Sequence, residues 1–287
     1  MADYRIDSHK LIFHVDRVHQ WLNKKQIYPV YAEISPTGLC NLRCVFCAYD
    51  YMEYAQRSLE TKRVKKLLKE VSGLGVKSIM YAGEGEPLLH KDMAEIALTT
   101  KANGIDTAIA SNGTLFNSDF SRDVLGALTW VRISLNAGTG QTYSLIHKAA
   151  PKMFHTVMQN LTDMVRVKKD RGLNTTIGVQ CIVLPQNQGE ILPLARTLKE
   201  IGIDYFTVKP FIQHPESINK KTDQGLSMEM LRQLEKDTES LNNGPFRIYY
   251  RYHSMLKLKE PRPYQYCLGL PFFTLIISNG DVYACGP

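Results

Sequence analysis

Three cysteines within eight residues, Cys40-Asn41-Leu42-Arg43-Cys44-Val45-Phe46-Cys47, constrain this chain more than any other stretch. They follow Tyr31-Ala32-Glu33-Ile34-Ser35, an alternating run that reads as a strand ending at Pro36 and Gly38. The thiols therefore sit on a loop carried by a rigid strand. Three closely spaced thiolates can fold around one soft metal centre, and with no fourth cysteine nearby that centre keeps an open coordination position. The spacing CxxxCxxC is not the paired CxxC of a structural zinc ribbon, and it differs from ferredoxin spacings, which supply four ligands. A structural zinc site that borrows a distant histidine is the rival reading. A disulfide would leave one thiol over.

After the cysteine loop, helix and strand patterns alternate. Val64, Leu67, Leu68 and Val71 recur at helical spacing before the strand Val76 to Ala82. The cycle repeats through strands at 106–110, 130–135, 176–183 and 204–209, which makes six strands joined by five helical crossovers. Such alternation predicts an α/β fold with a parallel sheet and its helices outside, either an open doubly wound sheet or a full or partial barrel. In both, the C-terminal strand ends form one ligand-binding rim. Polar and glycine-rich residues collect there: the cysteines, Gly83-Glu84-Gly85-Glu86-Pro87, Ser111-Asn112, Ser134 with Asn136, Gln180 late in the fifth strand, then Lys209, Gln213 and His214. Cys181, next to Gln180, points to the opposite face of its strand and reads as packing, with hydrogen-atom donation as its sharper alternative.

Composition bounds the rest. No apolar run reaches bilayer length, the N-terminus lacks a signal-peptide pattern, and a tight ligand-like cysteine cluster suits a reducing compartment, so a cytoplasmic protein is expected. The net charge of +7 permits an anionic substrate, an acidic redox partner or nucleic acid. The basic pairs Lys65-Lys66 and Lys168-Lys169 lie on helix patterns as solvated faces, and no aromatic-interleaved basic stripe suggests an RNA platform. His9, His14 and His19 sit in an irregular polar setting and read as surface or capping residues.

The cysteine motif, with Phe46 before its last cysteine, resembles the cluster motif of the radical S-adenosylmethionine (radical SAM) superfamily. The resemblance implies a partial (β/α)6 TIM-like barrel whose [4Fe-4S] cluster is held by Cys40, Cys44 and Cys47, with S-adenosylmethionine on the fourth iron. Gly83 to Pro87 resembles the family's glycine-glutamate-proline segment that binds the amino group of S-adenosylmethionine, with Glu84 where many relatives carry glycine. Ser134-Leu135-Asn136 resembles the Ser-Leu-Asp positions that hold the methionine carboxylate and ribose, with Asn136 replacing the usual acid. Ser111 and Asn112 are further cofactor candidates by their place at the rim, and Gln180 is either a cofactor contact from the fifth strand or an ordinary buried amide of the barrel. The implied chemistry is reductive cleavage of S-adenosylmethionine to a 5′-deoxyadenosyl radical that abstracts a substrate hydrogen, with electrons from a flavodoxin- or ferredoxin-type reductant.

The C-terminus carries a second resemblance. Asn279-Gly280 between apolar runs is a strong hairpin signal, and it brings Cys267 and Cys285 toward one another. This resembles the opening of a SPASM or twitch region, so the two cysteines are candidate ligands of an auxiliary iron-sulfur cluster. Only Gly286 and Pro287 follow, so a truncated region is expected, the alternatives being an incomplete, shared or absent second cluster or a hairpin that simply caps the barrel. The implied organisation is an N-terminal cap (1–31), the core barrel (32–215), a helical connector (216–264) and the SPASM-like start (265–287). About thirty residues precede the first strand, too few for a leader-peptide domain. The expected substrate is therefore a small polar molecule of carbohydrate or aminoglycoside type, to be oxidised or epimerised, with Lys209, Gln213 and His214 as candidate contacts. The alternatives are a peptide maturase and, from another class, a non-catalytic zinc or RNA-binding protein.

Overall fold

A computed structural model describes residues 10–220, 227–251 and 264–286. His9 lies outside them. The six expected strands are β1 Tyr31–Ile34, β2 Ser78–Tyr81, β3 Asp106–Ser111, β4 Trp130–Ser134, β5 Thr176–Val183 and β6 Tyr205–Pro210. Each pairs in parallel with the next, in sequence order. The crossover helices are α2 Thr61–Gly73, α3 Met93–Ala102, α4 Ser118–Val124, α6 Lys152–Asp170 and α7 Ile191–Ile201, with α1 Val15–Leu22 ahead of β1. A further helix, α5 Gly140–His147, lies between β4 and α6 and was not expected from the sequence.

The sheet extends beyond the six strands at both edges. Within 216–264, the expected helical connector, the described residues hold α8 Met228–Thr238. It also supplies β7 Arg247–Tyr250, which joins β6 in parallel. At the other edge β8 Phe273–Ile276 pairs with β1 in parallel and turns through the expected Asn279-Gly280 hairpin into antiparallel β9 Val282–Tyr283. The resulting order is β7-β6-β5-β4-β3-β2-β1-β8-β9. Gly280 takes a φ of 91°, which a residue with a Cβ adopts only under strain.

One face of the sheet carries the core. Ile34, Tyr81, Ile109, Val131, Val179 and Phe206 pack under the helices with at most 1% exposure. Helix stripes such as Val64 and Leu68 of α2 or Leu194 and Leu198 of α7 meet them. Along β1, β4 and β7 every second side chain is instead half-buried, on the opposite, concave face. No described helix is long and apolar enough to cross a membrane.

Candidate active site

The cysteine loop is fastened to its neighbours on three sides. At its start, Glu86 N–H donates to Leu39 O at 2.7 Å. A Cβ on Gly85 would lie 2.4 Å from the Thr37 and Leu39 carbonyls, so only glycine lets the two loops approach this closely. In the middle, Asn41 accepts from Asn112 Nδ2 at 2.7 Å and donates to Thr114 Oγ1 at 2.8 Å. At its end, Arg43 N–H and Val45 N–H donate to His147 O and Ile146 O, carbonyls that the last turn of α5 leaves without intrahelical donors. Val45 joins Ile146, Leu184 and Phe211 in an apolar cluster, with Phe46 packed against it.

Glu86 ties the second loop to the third. Its carboxylate accepts from Ser111 Oγ and Asn112 N–H, both at 2.7 Å, and from Leu88 N–H at 3.2 Å. Burial holds its pKa above the usual carboxylate value, against the pull of those donors. Glu84, the departure from glycine, accepts from Ser278 N–H at 3.0 Å and pairs with Arg57 at 3.3 Å. Arg57 also donates to Ser278 Oγ at 2.8 Å. The glycine-glutamate-proline loop is thereby braced against the C-terminal hairpin.

Asn136 lies at 1% exposure with its side chain engaged within the protein. Its Oδ1 accepts from Ile182 N–H at 2.6 Å, and Asn187 Nδ2 donates to its carbonyl at 2.9 Å. Its own N–H donates to His147 Nε2 at 3.2 Å. Nε2 therefore accepts and the proton sits on Nδ1, which lies 3.2 Å from Cys44 Sγ. Burial pushes the His147 pKa down to about 3, so this imidazole is neutral and points an N–H at a cysteine sulfur. Tyr143 stacks on it at 4.3 Å and Phe46 meets it edge-on at 5.7 Å.

Burial pushes the Cys40 thiol up to about 11, and burial, followed by the charges of Cys40 and Cys47, holds Cys44 well above the usual thiol value. Such a trio ionises when a cation compensates it, which fits an iron-sulfur cluster. Among the described residues no three His, Cys, Asp or Glu side chains converge on a single ion position. A four-iron cluster asks for thiolates spread over separate irons, whereas a zinc ion gathers its ligands around one point. His147, in contact with Cys44, turns a proton toward sulfur rather than a lone pair. The residues present fit the cluster.

The remaining sequence candidates divide. Ser134 and Gln180 lie side by side in the β4–β5 register, half-exposed on the concave face. Lys209 shares that face, and Cys181 is fully buried in the core on the other. His214 stacks on Tyr51 at 5.3 Å and lines a groove of about 370 Å³ with Ile277 and Cys285. Asp50 anchors this segment, accepting from Ser217 Oγ, Ile218 N–H and Asn219 N–H. Gln213 donates to the His214 carbonyl. Cys267 and Cys285 are both exposed.

Sequence reasoning missed Asn41, His147 and Arg132. Arg132 had a signal, since it lies two residues before Ser134 on the same face of β4. His147 had none, because its position depends on how α5 folds back over the loop.

Among proteins of known activity, a GTP 3′,8-cyclase of Chlorobaculum tepidum is 36% identical over 108 residues, covering 37% of this chain and 32% of that protein. The tungsten-containing aldehyde ferredoxin oxidoreductase cofactor-modifying protein of Pyrococcus furiosus is 26% identical over 196 residues, 66% of this chain and 53% of its own length. The chain thus spans between a third and about half of these relatives. Among solved structures, Streptococcus suis SuiB bound to S-adenosylmethionine shares the fold at a TM-score of 0.72 and 19% identity, covering 98% of this chain and 67% of that one. Native anSMEcpe with bound AdoMet and a peptide follows at 0.64 and 18%, covering 90% and 74%. The Radical SAM superfamily model matches residues 34–198, more than half of the chain. With that match laid over the strands and loops that carry the three thiols, the chain belongs to the radical SAM superfamily, whose cofactors are a [4Fe-4S] cluster and S-adenosylmethionine.

Proposed function

We propose that this chain is the catalytic barrel of a radical S-adenosylmethionine enzyme acting on a small polar substrate. The observation that carries the reading is the interlock of strand-end loops: Leu39 with Glu86, Glu86 with Ser111 and Asn112, and Asn112 with Asn41. Such an interlock fixes the thiols relative to the cofactor-binding backbone before any ligand arrives.

In this reading Cys40, Cys44 and Cys47 hold three irons, while His147 donates to Cys44 and orients its sulfur. The Gly83–Pro87 backbone receives the amino group of S-adenosylmethionine, with Ser134 and Gln180 as its polar contacts on the concave face. Glu86, Ser111, Asn112 and Asn136 act by holding those loops in place. Bound there, cluster and S-adenosylmethionine supply a one-electron cleavage of the sulfonium that starts hydrogen-atom abstraction. The protein's part is to place the substrate's C–H bond and exclude competing donors. A flavodoxin- or ferredoxin-type protein is the proposed reductant, and Cys267 and Cys285 are proposed ligands of an auxiliary cluster in the SPASM-like region.

The relatives' names point to GTP and to an enzyme cofactor, and the anSMEcpe structure was solved with a peptide. These support a charged small molecule first and a peptide second, in place of a carbohydrate or aminoglycoside.

The test is anaerobic reconstitution with iron and sulfide, addition of S-adenosylmethionine and dithionite, and quantification of 5′-deoxyadenosine beside Cys44→Ala. Cluster-dependent product is expected, and none from the variant. A wild-type chain that binds one zinc and yields no product would overturn the reading in favour of a structural zinc protein.

A further inference from the structure

The concave face divides by chemistry. Toward β2 and β3 it is apolar, where Met80, Ala82 and Ala108 cluster with Tyr31, Ala110 and Trp130 packed against them. From β4 to β7 it turns polar and cationic. Arg132 and Ser134 share the half-buried face of β4, Gln180 lies beside Ser134 on β5, and Lys209 lies beside Ile182 on β6. Arg251 directly follows β7 and donates its N–H to Val208 O at 2.9 Å, which sets it next to Lys209. Gly178 makes room for the floor between these strands: a Cβ there would lie 2.0 Å from the ring of Tyr205, which crosses it.

Among the described residues Arg132 and Lys209 lack the partners that the rim residues have. Arg132 holds its guanidinium 5.5 Å above the Trp130 ring, and its Nε is buried with no hydrogen-bond partner among the described residues. Neither Arg132 nor Lys209 makes an ion pair among the described residues. Glu33 is in electrostatic contact with Arg132, and burial raises its pKa against the pull of that guanidinium. Burial, then the charges of Arg251 and Arg132, lower that of Lys209, as expected where like charges gather. A half-buried guanidinium with an unpaired N–H is costly unless a ligand completes it. Arginine's planar fork and lysine's point charge together suit a carboxylate or a phosphate.

We propose that the β4–β7 wall of the concave face is the substrate site, and that the substrate carries a carboxylate or phosphate bound by Arg132 and Lys209, with Arg251 beside them. Ser134 and Gln180 lie in register between the two cations, with Arg132 one pleat deeper and Lys209 one pleat nearer the rim. Calling the bound anion a substrate rests on the radical SAM reading, whereas the anion site itself does not.

The chain holds two tryptophans, so a Trp21→Phe background leaves Trp130, beneath Arg132, as the reporter. The reconstituted protein with S-adenosylmethionine is titrated with pyrophosphate and, separately, with succinate, following Trp130 fluorescence. Saturable binding of at least one probe is expected, weakened about tenfold or more by Arg132→Gln and by Lys209→Gln, as for loss of a charge-assisted hydrogen bond. Arg166→Gln, which removes an exposed helix charge, should leave it within about twofold. Tighter pyrophosphate identifies a phosphorylated substrate, and tighter succinate a carboxylate. No saturable change with either probe, or equal affinities across the three variants, overturns the site. Anion binding without 5′-deoxyadenosine would sink the enzymatic reading and leave the site standing. 5′-Deoxyadenosine without anion binding would do the reverse.

Discussion

The rim above β1 to β4 and the wall from β4 to β7 are both polar, yet they treat polarity in opposite ways. On the rim, Glu86, Asn112, Asn41 and Asn136 are bound to one another or to backbone, and most lie nearly inaccessible. On the wall, Arg132 keeps an unpaired Nε and Lys209 has no ion pair among the described residues. A polar group that is fully paired contributes rigidity, whereas one left unpaired carries a cost that a ligand can remove. The rim is therefore a preformed frame and the wall a receptive surface.

The strongest way to break this contrast is at the centre of the frame. Glu86→Ala leaves Ser111 Oγ and the Asn112 and Leu88 N–H groups without their acceptor in a buried site, and should lower unfolding free energy by about 3–5 kcal/mol in urea denaturation. A loss under about 1 kcal/mol would mean the loops are held some other way. Glu84→Gly removes the carboxylate and cuts the link to Ser278 and Arg57. It should cost about 1–2 kcal/mol and speed hydrogen exchange at Ser278, while leaving Asn112 protected.

His147→Phe keeps a ring against Tyr143 but removes the donor to Cys44. Loss of one such bond, about 1 kcal/mol, should lower the cluster's reduction potential by about 40 mV in an anaerobic redox titration. An unchanged potential would reduce His147 to packing. The smallest effect belongs to the wall: Arg132→Met removes the unpaired Nε and should change unfolding free energy by less than about 1 kcal/mol. A loss comparable to that of Glu86→Ala would erase the distinction between frame and receptor.

Asn136 and His147 show how a departure from the family pattern acquires a physical meaning. With an acid at 136, His147 Nε2 would face a carboxylate and be drawn toward carrying the proton. Asparagine still serves Ile182 N–H through Oδ1, while its Nδ2 sits 3.4 Å from Nε2 as a further donor. The neutral histidine and the amide suit one another. The substitution at 136 was plain in the sequence, but its partner lies eleven residues on, on a helix that the sequence reading did not expect.

What the chain determined on its own was the order of parts. Periodicity located six strands, because period two and period 3.6 separate buried strands from amphipathic helices. Parallel alternation then placed the cysteines, the glycine-glutamate-proline loop and Ser134 at one rim, since a right-handed crossover admits no other arrangement. What only the tertiary structure decided was which polar groups meet. That Glu84 braces a hairpin 194 residues away, that β7 and β8 lengthen the sheet, and that Arg132 Nε has no partner among the described residues all depend on contacts between distant segments. Local pattern carries the direction in which a side chain points, and only packing decides whether another group is there to receive it.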